Sequence, residues 1–314
     1  MEIKEYPEKS WSTSRMNILK ECPRSYYYNY YLGHNGWFRD AEPIRKTVYK
    51  LKKLTNIYIV KGSALHEQVK IAIEEIKDGK EVAYKTENDM RNAVVNKLKE
   101  AVVESMSNLS SGKFNNTCKG MMLQEYYYGG SISKENGDKI KEDIKVCIDN
   151  LFICKTFDRL SSLTTVKIIE IDETGFDNCL FIDGVKLYFK VDLIYEEENG
   201  EVWVVDWKTG KYSEDDKEQL LMYAYYVTNK YGIDINKIHG RIEYLLSGET
   251  YEINYEKGDL IYATNKIKED IEIINSYLED VNINKPVEVD RFIEKIDKKE
   301  CMNCKFKELC IKKI

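Results

Sequence analysis

The chain has 314 residues, 32 per cent of them charged, with eight cysteines and a formal net charge of −6. That length lets roughly three-quarters of the unfolded surface be buried, enough for one large core or for a core with a helical lobe. The acidic balance argues against a protein that coats nucleic acid by bulk attraction. It leaves only local basic stretches, "RKTVYKLKK" (45–53) and the lysine-rich tail, and each of these reads as an ordinary solvated face. No apolar run approaches the ~20 residues that a membrane span needs. The opening "MEIKEYPEKSW" has no charged-then-apolar leader pattern. The expectation is a cytoplasmic protein without membrane contact, whose thiols stay reduced and whose clustered cysteines signal metal.

"STSRMNILKECPRSYYYNYYLG" starts with capping hydroxyls and carries Met16, Leu19, Tyr26, Tyr27, Tyr30 and Tyr31 at helical spacing, broken by Pro23. It predicts two short helices. The tyrosine runs "YYYNYY" and "EYYYGG" are read as half-buried packing and not as base-stacking platforms. "GSALHEQVKIAIEEIKDG" places Leu65, Val69, Ala72, Ile73 and Ile76 on one stripe, an amphipathic helix ended by Gly79. Residues 87–106 and 138–160 repeat the helical period and make a helical lobe. From Thr164 the pattern turns β-branched and alternating in "TTVKIIEID", "CLFI", "VKLYFKVDLIY" and "EVWVVDWK". "SEDDKEQLLMYAYYVTNKYG" then reads as a helix with an acidic first turn and a closing glycine, "KIHGRIEYLLSG" as a strand and 256–281 as a long helix. The predicted organisation is an N-terminal helical segment (1–79), a helical lobe (80–162), an α/β core (163–285) and a C-terminal cysteine segment (286–314).

The register of the hairpin that ends at Lys208 can be argued. A two-residue turn at Asn199-Gly200 would oppose Asp192 to Trp207 and Leu193 to Asp206, mixing charge with apolar bulk on both faces. A three-residue turn, Glu198-Asn199-Gly200 with glycine in the left-handed position, instead pairs Asp192 with Asp206, Val191 with Trp207, Leu193 with Val205 and Tyr195 with Trp203. One face is then apolar and the other carries Lys190, Asp192, Asp206 and Lys208. A one-residue slip would exchange the faces, so burial selects this register. Opposed carboxylates lie about 5 Å apart at Cβ and repel unless a cation sits between them. Oxygen ligands suit magnesium or manganese. Lys208 follows Asp206 by two residues, roughly 7 Å along the same face, where it can orient water and offset phosphoryl charge. A solvated Asp/Lys cross-strand network is the competing reading of the spacing alone.

"VDLIYEEENGEVWVVDWKTGK" resembles the D...(D/E)xK core of the PD-(D/E)XK nuclease superfamily, and "VVDWKTGK" followed by "QLLMY" resembles its RecB-type branch. The resemblance implies a restriction-endonuclease-like α/β fold, a mixed sheet flanked by helices. It implies catalytic roles for Asp192, Asp206, Lys208, Gln219 and Tyr223, the last two on one helix face at i, i+4. "KGSALHE" supplies the branch's upstream histidine, His66, so the implied metal ligands are His66, Asp192, Asp206 and the backbone carbonyl of Trp207, holding Mg2+ or Mn2+. The branch often has glycine three residues before the first aspartate. This chain has Phe189, which the register turns toward the apolar face, and Glu170 is a weak candidate for an additional acidic residue.

The tail "CMNCKFKELC" has metal-ligand spacing but only three cysteines. The chain is similar to CRISPR-associated spacer-acquisition exonucleases and to the cluster-bearing subunit of helicase-nucleases, and that similarity implies the fourth. Cys22 precedes the nuclease motifs, Cys301, Cys304 and Cys310 follow them, and together they would hold a [4Fe-4S] cluster as a clasp between the termini. Structural Zn2+ on the same four thiolates is the alternative. Cys118, Cys147, Cys154 and Cys179 read as small buried hydrophobes. The function so implied is a metal-dependent deoxyribonuclease, an exonuclease on DNA that is single-stranded or has free ends, with a helicase or CRISPR-adaptation protein as partner. A nuclease-fold DNA-binding subunit and an RNA-processing nuclease remain open.

Overall fold

The computed structural model of the protein describes residues 4–77, 86–114, 119–162, 166–172 and 179–310. Two sheets organise it. The smaller has β1 (Ser10–Trp11), β3 (Cys179–Ile182) and β4 (Val185–Tyr188) in the order β1-β4-β3, with β1 parallel to β4. The larger has β2 (Lys167–Ile171), β5 (Leu193–Glu196), β6 (Val202–Lys208), β7 (Ile238–Tyr244) and β8 (Glu249–Asn254) in the order β2-β5-β6-β7-β8. All neighbours in it are antiparallel except β6 and β7. Parallel neighbours need a crossover, and α9 (Asp215–Tyr231) supplies it. The acidic first turn of α9 and Gly232 at φ 70° past its end match the helix signals in the sequence.

The hairpin register is the one that burial selects. Leu193 pairs with Val205, Tyr195 with Trp203 and Glu196 with Val202. Glu197 and Gly200 close the turn by backbone hydrogen bonds, and Gly200 stands at φ 80°, a conformation that glycine adopts without penalty. Leu193, Tyr195, Val205 and Trp207 face one core; Ile194, Val202 and Val204 face the other.

Both faces of the large sheet are covered. On one side lies the helical lobe: α4 (Ile57–Lys77), α5 (Glu87–Ser110), α6 (Gln124–Tyr127), α7 (Lys134–Ile153) and α8 (Lys155–Ser161). The α4 stripe Leu65, Val69, Ala72 and Ile73 is buried there as its periodicity requires, while Gly79 lies outside the described residues. The expected 138–160 helix is two helices that meet at Cys154, whose extended backbone (ψ 152°) ends the first and caps the second. On the other side pack α1 (Thr13–Glu21), α2 (Pro23–Tyr27), α9 and α10 (Lys257–Asn275). α10 stops short of the expected 281, and residues 278–280 form β9, paired with β10 (Lys285–Pro286). Tyr26, Tyr28 and Tyr31 are buried, so most of the tyrosine run is core packing.

The stretch 185–195 is not one strand. The chain leaves the small sheet after Tyr188 and enters the large one at Leu193, and the crossing breaks the alternation. Phe189 therefore does not join Trp207 on the lobe side. It stacks on Tyr226 of α9 at 5.0 Å and packs against Trp11. Val191 belongs to the same core, so the expected Val191–Trp207 pair is not made.

Gly240 on β7 sets how closely α9 approaches the sheet. A Cβ there would come 2.3 Å from the Tyr255 hydroxyl and 2.5 Å from Leu220 Cδ2. Gly240→Ala should cost about 1–3 kcal/mol through overpacking, seen as a lower denaturant midpoint at unchanged m-value. Stability equal to the wild type would contradict this packing.

Candidate active site

Asp192 sits just before β5, next to the Leu193–Val205 pair, and this places it beside Asp206 near the end of β6. Its Oδ2 accepts the backbone N–H of Trp207 at 3.0 Å, so the carboxylate itself extends the ladder. Trp207 turns its ring into the lobe core. The lobe contributes His66 from α4, with Nδ1 3.2 Å from Asp192 Oδ1. From above, α9 contributes Gln219 and Tyr223 one turn apart. Lys208 Nζ donates to Gln219 Oε1 at 2.7 Å, and Gln219 Nε2 donates to the Tyr223 hydroxyl at 2.6 Å. Lys208 Nζ also lies 2.8 Å from Asp206 Oδ2 and 3.4 Å from Asp216 Oδ1. His66, Asp192, Asp206, Trp207, Lys208, Gln219 and Tyr223 all line one open cleft of ≈ 1030 Å³, above the ~300–1,000 Å³ typical of small-molecule sites.

The two aspartates are buried, 8% and 5% exposed, and their environments push them apart. Burial, then the charge of Asp192, raises Asp206 to about 6. Burial also works to raise Asp192, but the charge and hydrogen bond of His66, the Trp207 N–H and Lys208 outweigh it and hold the carboxyl below its ordinary value. His66 is raised: burial opposes its charge, and Asp192 more than compensates. Lys208 is likewise held above its usual value, Asp206, Asp216 and Asp192 outweighing burial. Burial and then the nearby charges of Asp206 and Asp192 lift the Tyr223 hydroxyl far above the ordinary tyrosine range, so it stays neutral as the acceptor of the Gln219 amide.

A divalent cation fits this donor set. Asp206 Oδ2 is buried with only the Lys208 ammonium, 2.8 Å away, to serve it, and a second buried carboxylate, Asp192, stands beside it. Two buried carboxylates sharing a site repel unless further positive charge lies between them. The donors are carboxylate oxygens and one imidazole, which suit magnesium or manganese. Among the described residues no three His, Cys, Asp or Glu side chains are gathered in ready metal-ligand geometry. His66 and Lys208 are instead turned onto Asp192 and Asp206, the nearest opposite charges.

The PD-(D/E)XK nuclease superfamily model matches residues 10–311. The chain belongs to that superfamily. No curated protein matches it. Membership in the PD-(D/E)XK nucleases agrees with the mixed α/β fold described above. No described helix is long and apolar enough to cross a membrane.

Glu170, weighed in the sequence as an additional acidic residue, does not line the cleft. Glu170 pairs with Ile194, further along the sheet under the last turns of α9, where its Oε2 accepts from the hydroxyls of Tyr226 (3.0 Å) and Tyr231 (2.6 Å) and meets Lys230 at 3.3 Å. Asp172, two residues on, lines the cleft. Its N–H donates to the Asp192 carbonyl at 2.9 Å and its Oδ1 lies 3.0 Å from Lys190 Nζ. A regular alignment of β2 on β5 would have missed it, because the register shifts by one residue between Ile168 and Glu170 before Ile171 pairs with Leu193. Ser12, Thr13 and Ser14 also line the cleft, carried there by β1 on β4.

Cys22, Cys301, Cys304 and Cys310 line a second, small cavity, and all four are free thiols. Burial, then neighbouring thiols, raises Cys304 and Cys310, while the Phe306 N–H donates to Cys304 Sγ at 3.4 Å. Four thiols round one cavity are a donor set of the kind soft or borderline metals use, but among the described residues they are not gathered in ready metal-ligand geometry. The tail also docks without metal. Phe306 is buried 5.4 Å from the Tyr28 ring, Tyr128 Oη donates to the Lys305 carbonyl, and Arg24 Nε donates to the Phe292 carbonyl. Of the other cysteines, Cys147 is fully buried, Cys154 and Cys179 are half-buried and so only partly match the hydrophobe reading, and Cys118 lies outside the described residues.

Proposed function

We propose that the protein is a Mg2+- or Mn2+-dependent exonuclease that hydrolyses DNA phosphodiesters on single strands or at free ends. The observation that carries this is the buried Asp192–Asp206 pair with Lys208 beside it, open to a cleft roomy enough for a nucleic-acid strand. Asp192, Asp206, His66 and the Trp207 carbonyl are the residues that would hold the cation. A bound divalent cation supplies Lewis acidity toward the phosphoryl group and lowers the pKa of water. Lys208 contributes its own positive charge beside the reacting phosphate and orients water, held in place by Asp206, Asp216 and Gln219. Gln219, anchored in turn on Tyr223, fixes the Lys208 ammonium and keeps it from swinging out. Cys22, Cys301, Cys304 and Cys310 hold a [4Fe-4S] cluster in this reading, with Zn2+ as the alternative, and the setting is cytoplasmic with a helicase or CRISPR-adaptation protein as partner.

The test is incubation of the purified protein with end-labelled single-stranded DNA, double-stranded DNA and RNA, in manganese, magnesium or chelator. Metal-dependent release of mononucleotides or short oligonucleotides from DNA is expected. Binding without cleavage would point to a DNA-binding subunit, and cleavage of RNA alone to RNA processing; either result would overturn the exonuclease reading.

A further inference from the structure

The two basic stretches that look like separate solvated faces in the sequence meet in the fold. α3 (Pro43–Lys52) ends beside the docked tail, and Lys305 Nζ donates to the Lys52 carbonyl at 3.3 Å. Arg15, from the first turns of α1, and Lys52 share one aromatic ring: Arg15 Cζ is 4.2 Å and Lys52 Nζ 5.6 Å from the centroid of Tyr30. Lys53 follows directly, 5.1 Å from the centroid of Tyr49. From these contacts we propose that Arg15, Lys52, Lys53 and Lys305 form a binding site for the phosphate backbone of single-stranded DNA, outside the Asp192–Asp206 cleft.

Three features support the site, which rests on the nuclease reading for its ligand. Other cations nearby are ion-paired, Arg24 with Glu294 and Arg45 with Glu42, whereas among the described residues none of these four makes an ion pair with a carboxylate. The negative end of α3 favours a cation such as Lys305, but a helix terminus carries only about half a charge and leaves the group unbalanced. Partial burial, then the charges of Arg15, Lys305 and Lys53, pull Lys52 down to about 8, a strain that a bound anion relieves. Arg15 stands on α1 next to Ser14, which lines the cleft that holds both aspartates, although the four cations do not themselves line it. Because the charges come from three separate segments and Lys52 and Lys53 are exposed, they suit an extended polyanion better than a small enclosed one.

The test measures affinity for a fluorescent single-stranded DNA oligonucleotide in chelator over a salt series, alongside metal-dependent hydrolysis of bis(4-nitrophenyl) phosphate, a diester too short to reach the patch. Combining Arg15→Gln, Lys52→Gln and Lys305→Gln should weaken oligonucleotide binding at least about 10-fold and lower the salt slope by about 0.7 for each phosphate no longer neutralised. Hydrolysis of the small diester should stay at the wild-type rate, and Lys52→Arg should keep the slope. Unchanged affinity and slope in the triple variant would overturn the site, as would equal losses in Lys52→Gln and Lys52→Arg, or a wild type that binds no DNA. Wild-type binding with the expected reduction in slope, but no hydrolysis of any diester, would support the site and overturn the nuclease reading alone.

Discussion

Asp206→Ala and Lys208→Ala are each expected to lower metal-dependent DNA cleavage at least roughly 10²-fold, the usual cost of removing an electrostatic or water-positioning group. Each removes a charge that no neighbour can replace. Asp206 is one of the two buried carboxylates, and Lys208 is the cation on the same strand face, tied to Asp206, Asp216 and Gln219. His66→Ala should fall less far and recover partly at high manganese, as expected when the group removed is a ligand and not a base. Wild-type rates in purified, folded Asp206→Ala or Lys208→Ala would sink the assignment.

The fold should tolerate the loss, and in one variant gain from it. A carboxyl raised from 3.8 to about 6 binds its proton more tightly folded than unfolded. Stability without metal therefore falls as pH rises from about 4 to 6, and the penalty is fully present above that. Asp206→Asn in chelator should unfold at a higher temperature than the wild type at pH 7 to 8, by on the order of 1–3 kcal/mol, with the gap closing below pH 4. A less stable Asp206→Asn at neutral pH would show that the pair with Lys208 outweighs burial and repulsion.

On the proposal that Cys22 shares a cluster with the tail, Cys22→Ser is expected to lose bound iron and several kcal/mol of stability together. A metal shared by Cys22 and Cys301 joins positions 279 residues apart (301 − 22) and withdraws chain freedom from the unfolded state. A covalent cross-link over a loop that long is worth about 5 kcal/mol, so a melting temperature lower by roughly 5–15 °C follows. Part of the clasp survives through Phe306 on Tyr28, Arg24 on Glu294 and the Phe292 carbonyl, so the variant should be less stable and less soluble but not fully unfolded. The wild type, purified without oxygen, should be brown with broad absorption near about 400 nm. Cys179→Ser should keep its colour. The thiol cavity and the catalytic cleft share no lining residue, so whatever fraction of Cys22→Ser stays folded should hydrolyse a small diester at the wild-type rate. Colourless protein with one zinc per chain would replace the cluster with zinc and keep the clasp. Absence of bound metal, with unchanged melting of Cys22→Ser, would remove both.

Local chemistry and burial carried much of this protein in the sequence alone. The turn Glu198-Asn199-Gly200, read with the rule that a one-residue slip exchanges faces, set Asp192 beside Asp206 because only that register separates charge from apolar bulk. Gln219 and Tyr223 followed from four-residue spacing on a helix with clear start and stop signals. What the sequence could not decide is which strand joins which sheet. Phe189 fell on the opposite side from its expected one because residues 189–192 cross between sheets, where alternation does not hold. Asp172 and not Glu170 lines the cleft, because the β2–β5 register shifts at a bulge that the sequence does not show. Arg15, Lys52 and Lys305 lie far apart in the chain, and the packing of Phe306 under Tyr28, with the Tyr128–Lys305 hydrogen bond, brings the tail to α3. Short-range pattern determines elements and faces, because sterics and burial act within a few residues. Where distant charges converge depends on how whole layers pack, and no local spacing encodes it.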